Sequence, residues 1–282
     1  MTKLTLAIYD KERVPRKSFQ GEEEIEKDLV VTAENFVHLS MRKFEYQEGD
    51  QIAVEMDESG RYLWVKLDET LESSLIYLPG NKWTYEVSFH SNRIKARPET
   101  RFSGGRHYLS VRCASEEEVK MYRNLALNPH DQKEETGAYP HASANVETRN
   151  DATFFACNAI DGVYANHSHG SYPFQSWGIN QQADAALTIG FGREVQLDKV
   201  GFTWRADFPH DSYWTNVTIQ FDDGTSETFA TEKTAQPQYF LFSARKTKTI
   251  RFCDLIQAND PSPFPALTQI ELWGMNDQPM KG

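Results

Sequence analysis

Leu187-Thr188-Ile189-Gly190-Phe191-Gly192 and, a few residues on, Val200-Gly201-Phe202-Thr203-Trp204 place a large apolar side chain at every second position. Successive side chains of a strand point to opposite faces, so Leu187, Ile189 and Phe191, then Val200, Phe202 and Trp204, share a face that must be buried against another layer. The same alternation returns at Val217, Ile219 and Phe221, at Ile250 and Phe252, and at Ile270 and Leu272. Between two of these runs lies Asp222-Asp223-Gly224-Thr225, a hairpin turn whose glycine takes the positive φ such turns require. The second half of the chain therefore reads as a β-sandwich.

The first half carries the same period. Leu4, Leu6 and Ile8 share one face, as do Ile52, Val54 and Met56. Asp57-Glu58-Ser59-Gly60 and Pro79-Gly80-Asn81-Lys82 supply turns between apolar runs, and hairpin is expected to follow hairpin. Ser115, with Glu118 three residues on, forms a capping box at the start of a short helix reaching Ala126. The polar run from His130 to Gly137 reads as an exposed segment, and Arg101-Phe102-Ser103-Gly104-Gly105-Arg106 as a turn. The fold expected is all-β: two tandem β-sandwich, jelly-roll domains over 1–114 and 127–282, joined by a helix over 115–126.

Composition sets the class of partner. The 282 residues hold 30 Lys and Arg against 41 Asp and Glu, a net charge of −11 with no basic cluster, so no nucleic-acid partner is expected. Cys113, Cys157 and Cys253 are odd in number and lack metal-type spacing; they read as small buried apolar residues. The first ten residues lack the pattern of a signal peptide, and no run reaches ~18 apolar residues. The expectation is a soluble chain with no membrane span, cytoplasmic as it stands, extracellular if an export signal precedes it.

In order, the second half carries Asn158-Ala159-Ile160-Asp161-Gly162, Trp177, Leu187 to Gly192, Asp223-Gly224 and Gln269-Ile270-Glu271-Leu272-Trp273-Gly274. This ordered set resembles the discoidin, or coagulation-factor C-type, galactose-binding-like family, over about residues 124–274. The resemblance implies an eight-stranded jelly roll that binds sugars or other surface ligands through loops at one end, often with a structural calcium ion. It places that ion between Asp161 and Glu271, whose hard oxygens suit Ca²⁺; an Asx-type turn is the other reading of Asp161. The stretch from Val163 to Ser176 departs from the family in being longer than its usual link and lacking its usual Thr.

Two segments carry candidate chemistry. Trp204 to Trp214 follows a strand and mixes Arg205, Asp207, His210, Tyr213 and Trp214; a sugar site needs an aromatic platform for the CH face of the ring plus planar donors and carboxylates for its hydroxyls. Core packing of Trp204 and Trp214, and an Arg205–Asp207 ion pair, are the plainer readings. Asn166 to Gln175 holds His167, His169, Tyr172 and Phe174, which suit sugar contact, zinc binding with His141 or His210, or an ordinary polar loop. Trp64, Trp83, Tyr62 and Tyr85 lie on strands of the first half, where alternation buries some and exposes others. The function expected is non-catalytic recognition of a neutral sugar or glycan. Two alternatives stay open: a glycan-active or metal-dependent hydrolase using the His and Asp cluster, and a module that binds a protein partner.

Overall fold

Leu4, Leu6 and Ile8 of β1 (Lys3–Tyr9) are fully buried in the computed structural model, which describes residues 1–19 and 25–277. The first half continues through β2 (Lys17–Phe19), β3 (Glu26–Asp28), β4 (Val30–Glu34), β5 (Phe36–Arg42), β6 (Asp50–Met56), β7 (Arg61–Lys66), β8 (Ser74–Leu78), β9 (Lys82–Val87) and β10 (Arg106–Cys113). One layer has the order β4-β1-β6-β9 and the other β3-β2-β5-β10-β7-β8. Val54, Val65, Trp83 and Val111 meet between them in one core. The strand positions follow the alternation, but the connections do not. Of strands consecutive in this half of the chain, β2 with β3 and β7 with β8 pair as neighbours; the turns at 57–60 and 79–81 each carry the chain from one layer to the other. Turn-forming residues reverse a chain equally well within a layer or between layers, so the expectation of successive hairpins is corrected here.

A short α1 (Ser91–Ile94) and a loop precede β10, and α2 (Glu116–Lys120) follows it. Ser115 caps α2 with both arms of the capping box in place, and Val119 is its buried residue. The helix stops at Lys120 rather than Ala126, because β11 (Arg123–Asn124) joins the edge of the second unit's sheet and Leu125 N donates to Leu272 O at 2.7 Å.

The second unit adds β12 (His141–Ala144), β13 (Trp177–Gly178), β14 (Leu187–Trp204), β15 (Trp214–Phe221), β16 (Ser226–Ala230), β17 (Gln238–Gln257) and β18 (Ala266–Asn276). Residues 187–190 of β14 pair with β12 and with 249–252 of β17, whereas 195–204 pair with β18 and with 238–247 of β17. The register shifts between Gly190 and Val195 mark where both long strands turn from one layer into the other. Leu187, Ile189, Phe191, Val200, Phe202 and Trp204 all lie in the core between these layers, with Trp214, Phe252 and Leu272. Gly274 is needed where β18 passes closest to β14, since a Cβ there would stand 1.9 Å from Gln196 O.

The run His130–Gly137 is not an exposed segment but part of the seam between the units. His130 is buried with Nδ1 2.9 Å from Ser74 Oγ, Trp83 Nε1 donates to Thr136 Oγ1 at 3.1 Å, and Gln132 exchanges hydrogen bonds with the backbone of Glu86. Tyr77 and Tyr139 pair backbone to backbone, and the buried Arg193 guanidinium lies 5.3 Å from the rings of Tyr62 and Tyr77. These polar side chains find partners in the other unit instead of in water. No helix among the described residues is long and apolar enough to cross a membrane.

Candidate ligand-binding cleft

β14 ends at Trp204, and the next residues form a loop at the end of the sandwich where β15 and β18 begin. Trp204 and Trp214 close the core beneath that loop, their rings 5.2 Å apart and nearly perpendicular. Trp214 is 1% exposed, so it offers no platform to a ligand. The register shift between Trp214 and Asn216 explains the inward turn: it changes the parity of β15, placing Trp214 on the same face as Val217. Tyr213 also packs against this core, half-buried.

Arg205 and Asp207 are both buried behind the loop. Arg205 Nε lies 2.8 Å from Asp207 Oδ1, an ion contact whose angle falls short of a hydrogen bond. Its Nη2 donates to His210 O at 3.1 Å and to Phe264 O, so one planar guanidinium ties two loops to each other. Asp207 Oδ2 meets His169 Nδ1 and lies 3.7 Å from His210 Nδ1, and the two imidazole rings stand 5.2 Å apart edge to face. The ligating atoms of His169, Asp207 and His210 lie within 4.8 Å of one another.

Beside this cluster opens a cleft of about 350 Å³. Phe154, Ile179 and Phe264 give it apolar surfaces, and Arg149, His169, Asn180, Arg205 and His210 give it polar ones. Phe154 is buried, whereas Phe264 is 46% exposed. Of the residues expected at the site, Arg205, His169 and His210 line the cleft, with Asp207 buried behind them. His167 is exposed and packs its ring edge on Phe174 at 4.9 Å, away from the cleft lining. Tyr172 faces the cavity between the units. His141 pairs with Asp131 at 2.8 Å and takes no part in the histidine cluster.

Solved structures similar to this chain over about half its length were found. They include carbohydrate-binding modules and a Ruminococcus gnavus GH29 fucosidase in complex with fucose, 14% identical with a TM-score of 0.39, of which this chain covers 27%. A family 32 module from C. perfringens NanJ, in complex with galactose, is 15% identical with a TM-score of 0.40, covering 54% of this chain and 99% of that one. A Streptococcus pneumoniae fucose binding module, SpX-3, is 14% identical with a TM-score of 0.39 over 54% and 98%. Chitosan-binding module 1 from a chitosanase/glucanase of Paenibacillus sp. IK-5 is 21% identical with a TM-score of 0.36 over 54% and 98%. At these identities the likeness is one of fold. No family model matches the sequence, and no curated protein matches it.

The residues expected to hold calcium do not form an ion cage. Asp161 Oδ1 accepts from Val163 N at 2.8 Å and Gln269 Nε2 at 2.7 Å, and Oδ2 accepts from Gln175 Nε2 at 2.6 Å. Gln269 Oε1 takes the N–H of Gly162 at 3.0 Å, which fixes its amide with nitrogen toward Asp161. Glu271 turns elsewhere, accepting from the Tyr239 hydroxyl at 2.8 Å and Trp273 Nε1 at 2.9 Å. Calcium takes roughly six to eight oxygen ligands; here N–H groups occupy the Asp161 oxygens, and the last-strand residue facing Asp161 is a neutral amide. Burial pushes the Asp161 carboxyl up to about 7, against hydrogen bonds that pull it down. This donor set fits a carboxyl held by amides, not a hard cation.

Phe264, Phe154, Arg149 and Asn180 are the cleft residues that the sequence reading passed over. A signal existed for Phe264: Pro263-Phe264-Pro265 holds an aromatic side chain between two prolines just before a strand. Such a segment neither pairs nor folds its side chain inward easily.

Proposed function

We propose that this protein is a non-catalytic carbohydrate-binding protein that takes a neutral sugar in the cleft beside Arg205. The observation that carries the reading is the composition of that cleft: apolar rings facing fixed planar donors, with no carboxylate among its lining residues. A sugar lays its CH face on an aromatic ring and offers hydroxyls at the edge, which Phe264 and the rim of Arg149, His169, Asn180 and His210 match. Two-carboxylate glycoside hydrolysis needs acids on both sides of the scissile bond. The nearest acid, Asp207, is buried and already engaged by Arg205 and His169.

Affinity should be modest. A hexose has about twelve non-hydrogen atoms, and about −0.3 kcal/mol for each gives about −4 kcal/mol, a Kd on the order of a millimolar. Titration calorimetry against a panel of neutral monosaccharides should find a binder whose affinity falls about tenfold or more in Phe264→Ala and in His210→Ala, with little change in melting temperature. Absence of binding across the panel, or equal binding by both variants, would sink the reading.

The convergence of His169, Asp207 and His210 within 4.8 Å favours one second reading, a metal-dependent hydrolase. Its arm of the same experiment is Zn²⁺ alone: tight binding that His169→Ala abolishes would support it. The Arg205 guanidinium on the same carboxylate opposes a cation there.

A further inference from the structure

The cavity between the two units, about 840 Å³, is larger than the cleft. The first unit supplies Trp83 and Tyr85 from β9 and the guanidinium groups of Arg93, Arg97 and Arg101 from α1 and the loop after it. The second supplies Asp131, Phe155, Asp161 and Gln175. Hydrogen bonds at the seam hold the walls together: Asn92 Nδ2 donates to Asn150 O at 2.8 Å and Tyr172 N to Lys95 O at 2.7 Å. The cavity is therefore preformed.

Its three arginines are held by rings and a hydroxyl, not by carboxylates. Arg93 lies over the Phe155 ring at 5.7 Å, Arg97 sits between Phe89 at 5.3 Å and Phe102 at 5.6 Å, and Arg101 Nε donates to Thr70 Oγ1 at 3.1 Å. None of them forms an ion pair among the described residues. Yet the lysines around the same walls all do: Lys82 with Glu55 at 3.0 Å, Lys95 with Asp151 at 3.1 Å and Lys133 with Glu147 at 3.4 Å. The acids that line the cavity are engaged elsewhere or stand off. Asp131 pairs with His141, Asp161 with its amides and Glu135 with the Tyr139 hydroxyl, while Glu72, Glu86 and Glu134 lie beyond ion-pair distance of the arginines.

In a chain of net charge −11, three guanidinium groups on one wall, none of them in an ion pair, leave donors free to face an anion. Burial holds the half-buried Arg97 below its usual range, and Asp68 and Glu48, neither in an ion pair with it, offset that only in part. Tyr85, beside Arg97 and Arg101, adds a hydroxyl and a ring to the same wall. A guanidinium fork matches carboxylate and phosphate oxygens, and Tyr172, 39% exposed in the cavity lining, offers a ring to the face of a small cyclic molecule.

We propose that this cavity is a second ligand site, specific for a sugar bearing an anionic group, with the anion on Arg97 and Arg101 and the ring against Tyr172.

The test is titration of the full chain with glucuronate, glucose 6-phosphate, glucose and inorganic phosphate. The proposal expects at least one charged sugar to bind about tenfold or more tightly than glucose, more weakly as salt is added. Arg101→Gln should reduce that binding about tenfold or more without unfolding the protein, and Arg93→Gln, at an exposed position where the side chain's only described partner is the Phe155 ring, provides a second variant that should weaken it less. His210→Ala should bind the charged sugar as the parent does, which separates this cavity from the cleft. No binding of either charged sugar would overturn the proposal. So would loss of binding in His210→Ala but not in Arg101→Gln, or inorganic phosphate binding as tightly as the charged sugars.

Discussion

Two aspartates of the second unit, Asp161 and Asp207, are both removed from bulk water and meet opposite company. Asp161 is held by two side-chain amides and a backbone N–H, none of which carries charge. Asp207 is held by the Arg205 guanidinium and the His169 imidazole, with His210 a little farther off. Amides satisfy a buried carboxyl's hydrogen bonds without repaying the cost of its charge, so Asp161 tends to keep a proton. Charged and ionisable partners make Asp207 the anchor of a polar cluster instead. One aspartate knots the sandwich internally, and the other positions the groups that face a cleft.

Removing the charge from each should therefore act in opposite senses. Asp207→Ala strands the Arg205 guanidinium without its anion and should destabilise the protein by roughly 3–5 kcal/mol, read from denaturant unfolding, together with loss of neutral-sugar binding. A change within about 0.5 kcal/mol would show that the pair is not coupled to folding.

Asp161→Asn should stabilise, and only over part of the pH range. The folded carboxyl titrates at about 7 and the unfolded one near 3.9, so between these values the folded state holds more protons. Stability of the parent should fall as pH climbs through that window and level off above about 7, by at most about 4 kcal/mol. The Asn variant lacks this loss and should melt higher than the parent at pH 8 and nearly equally at pH 4. Gln175 Oε1, buried without a partner, can accept the new amide if the Gln175 side chain turns over. Parallel melting curves of parent and variant against pH would contradict the assignment.

The smallest effect is expected from Arg205→Lys, which keeps the charge beside Asp207 but loses the fork that ties His210 O to Phe264 O. A cost of about 1–2 kcal/mol, with faster hydrogen exchange in the 205–213 and 258–265 loops, would separate the guanidinium's geometry from its charge.

Alternation alone identified the inward faces of both units, because burying a strand's apolar side leaves little choice of register. Leu4, Ile52, Ile189 and Phe202 all lie where that reasoning puts them. The path between strands was less legible, since Pro79 to Asn81 would serve a hairpin or a crossing equally. His130 to Gly137 misled for a related reason: His130, Gln132 and Thr136 are polar residues whether their partner is water or Ser74, Glu86 and Trp83. At the cleft, sequence located the loop but exchanged its aromatics. A register shift hid Trp214 in the core, and two prolines held Phe264 out. The arginines of the larger cavity gave no pattern to read, because Arg93, Arg97 and Arg101 come to share one wall only when the loop after α1 faces the second unit.

β14 and β17 each run through both layers of the second sandwich, which makes the unit a folded plate more than a pair of sheets laid together. A plate creased along two continuous strands resists shear, since sliding one layer would have to drag the same peptide bonds in the other. The loops that leave its edge at 205 and enter it at 265 are thus mounted on a common frame. A sugar taken at that edge, as proposed, would be selected by side-chain rotations on a fixed mount, and its exchange should be fast and free of any slow conformational step.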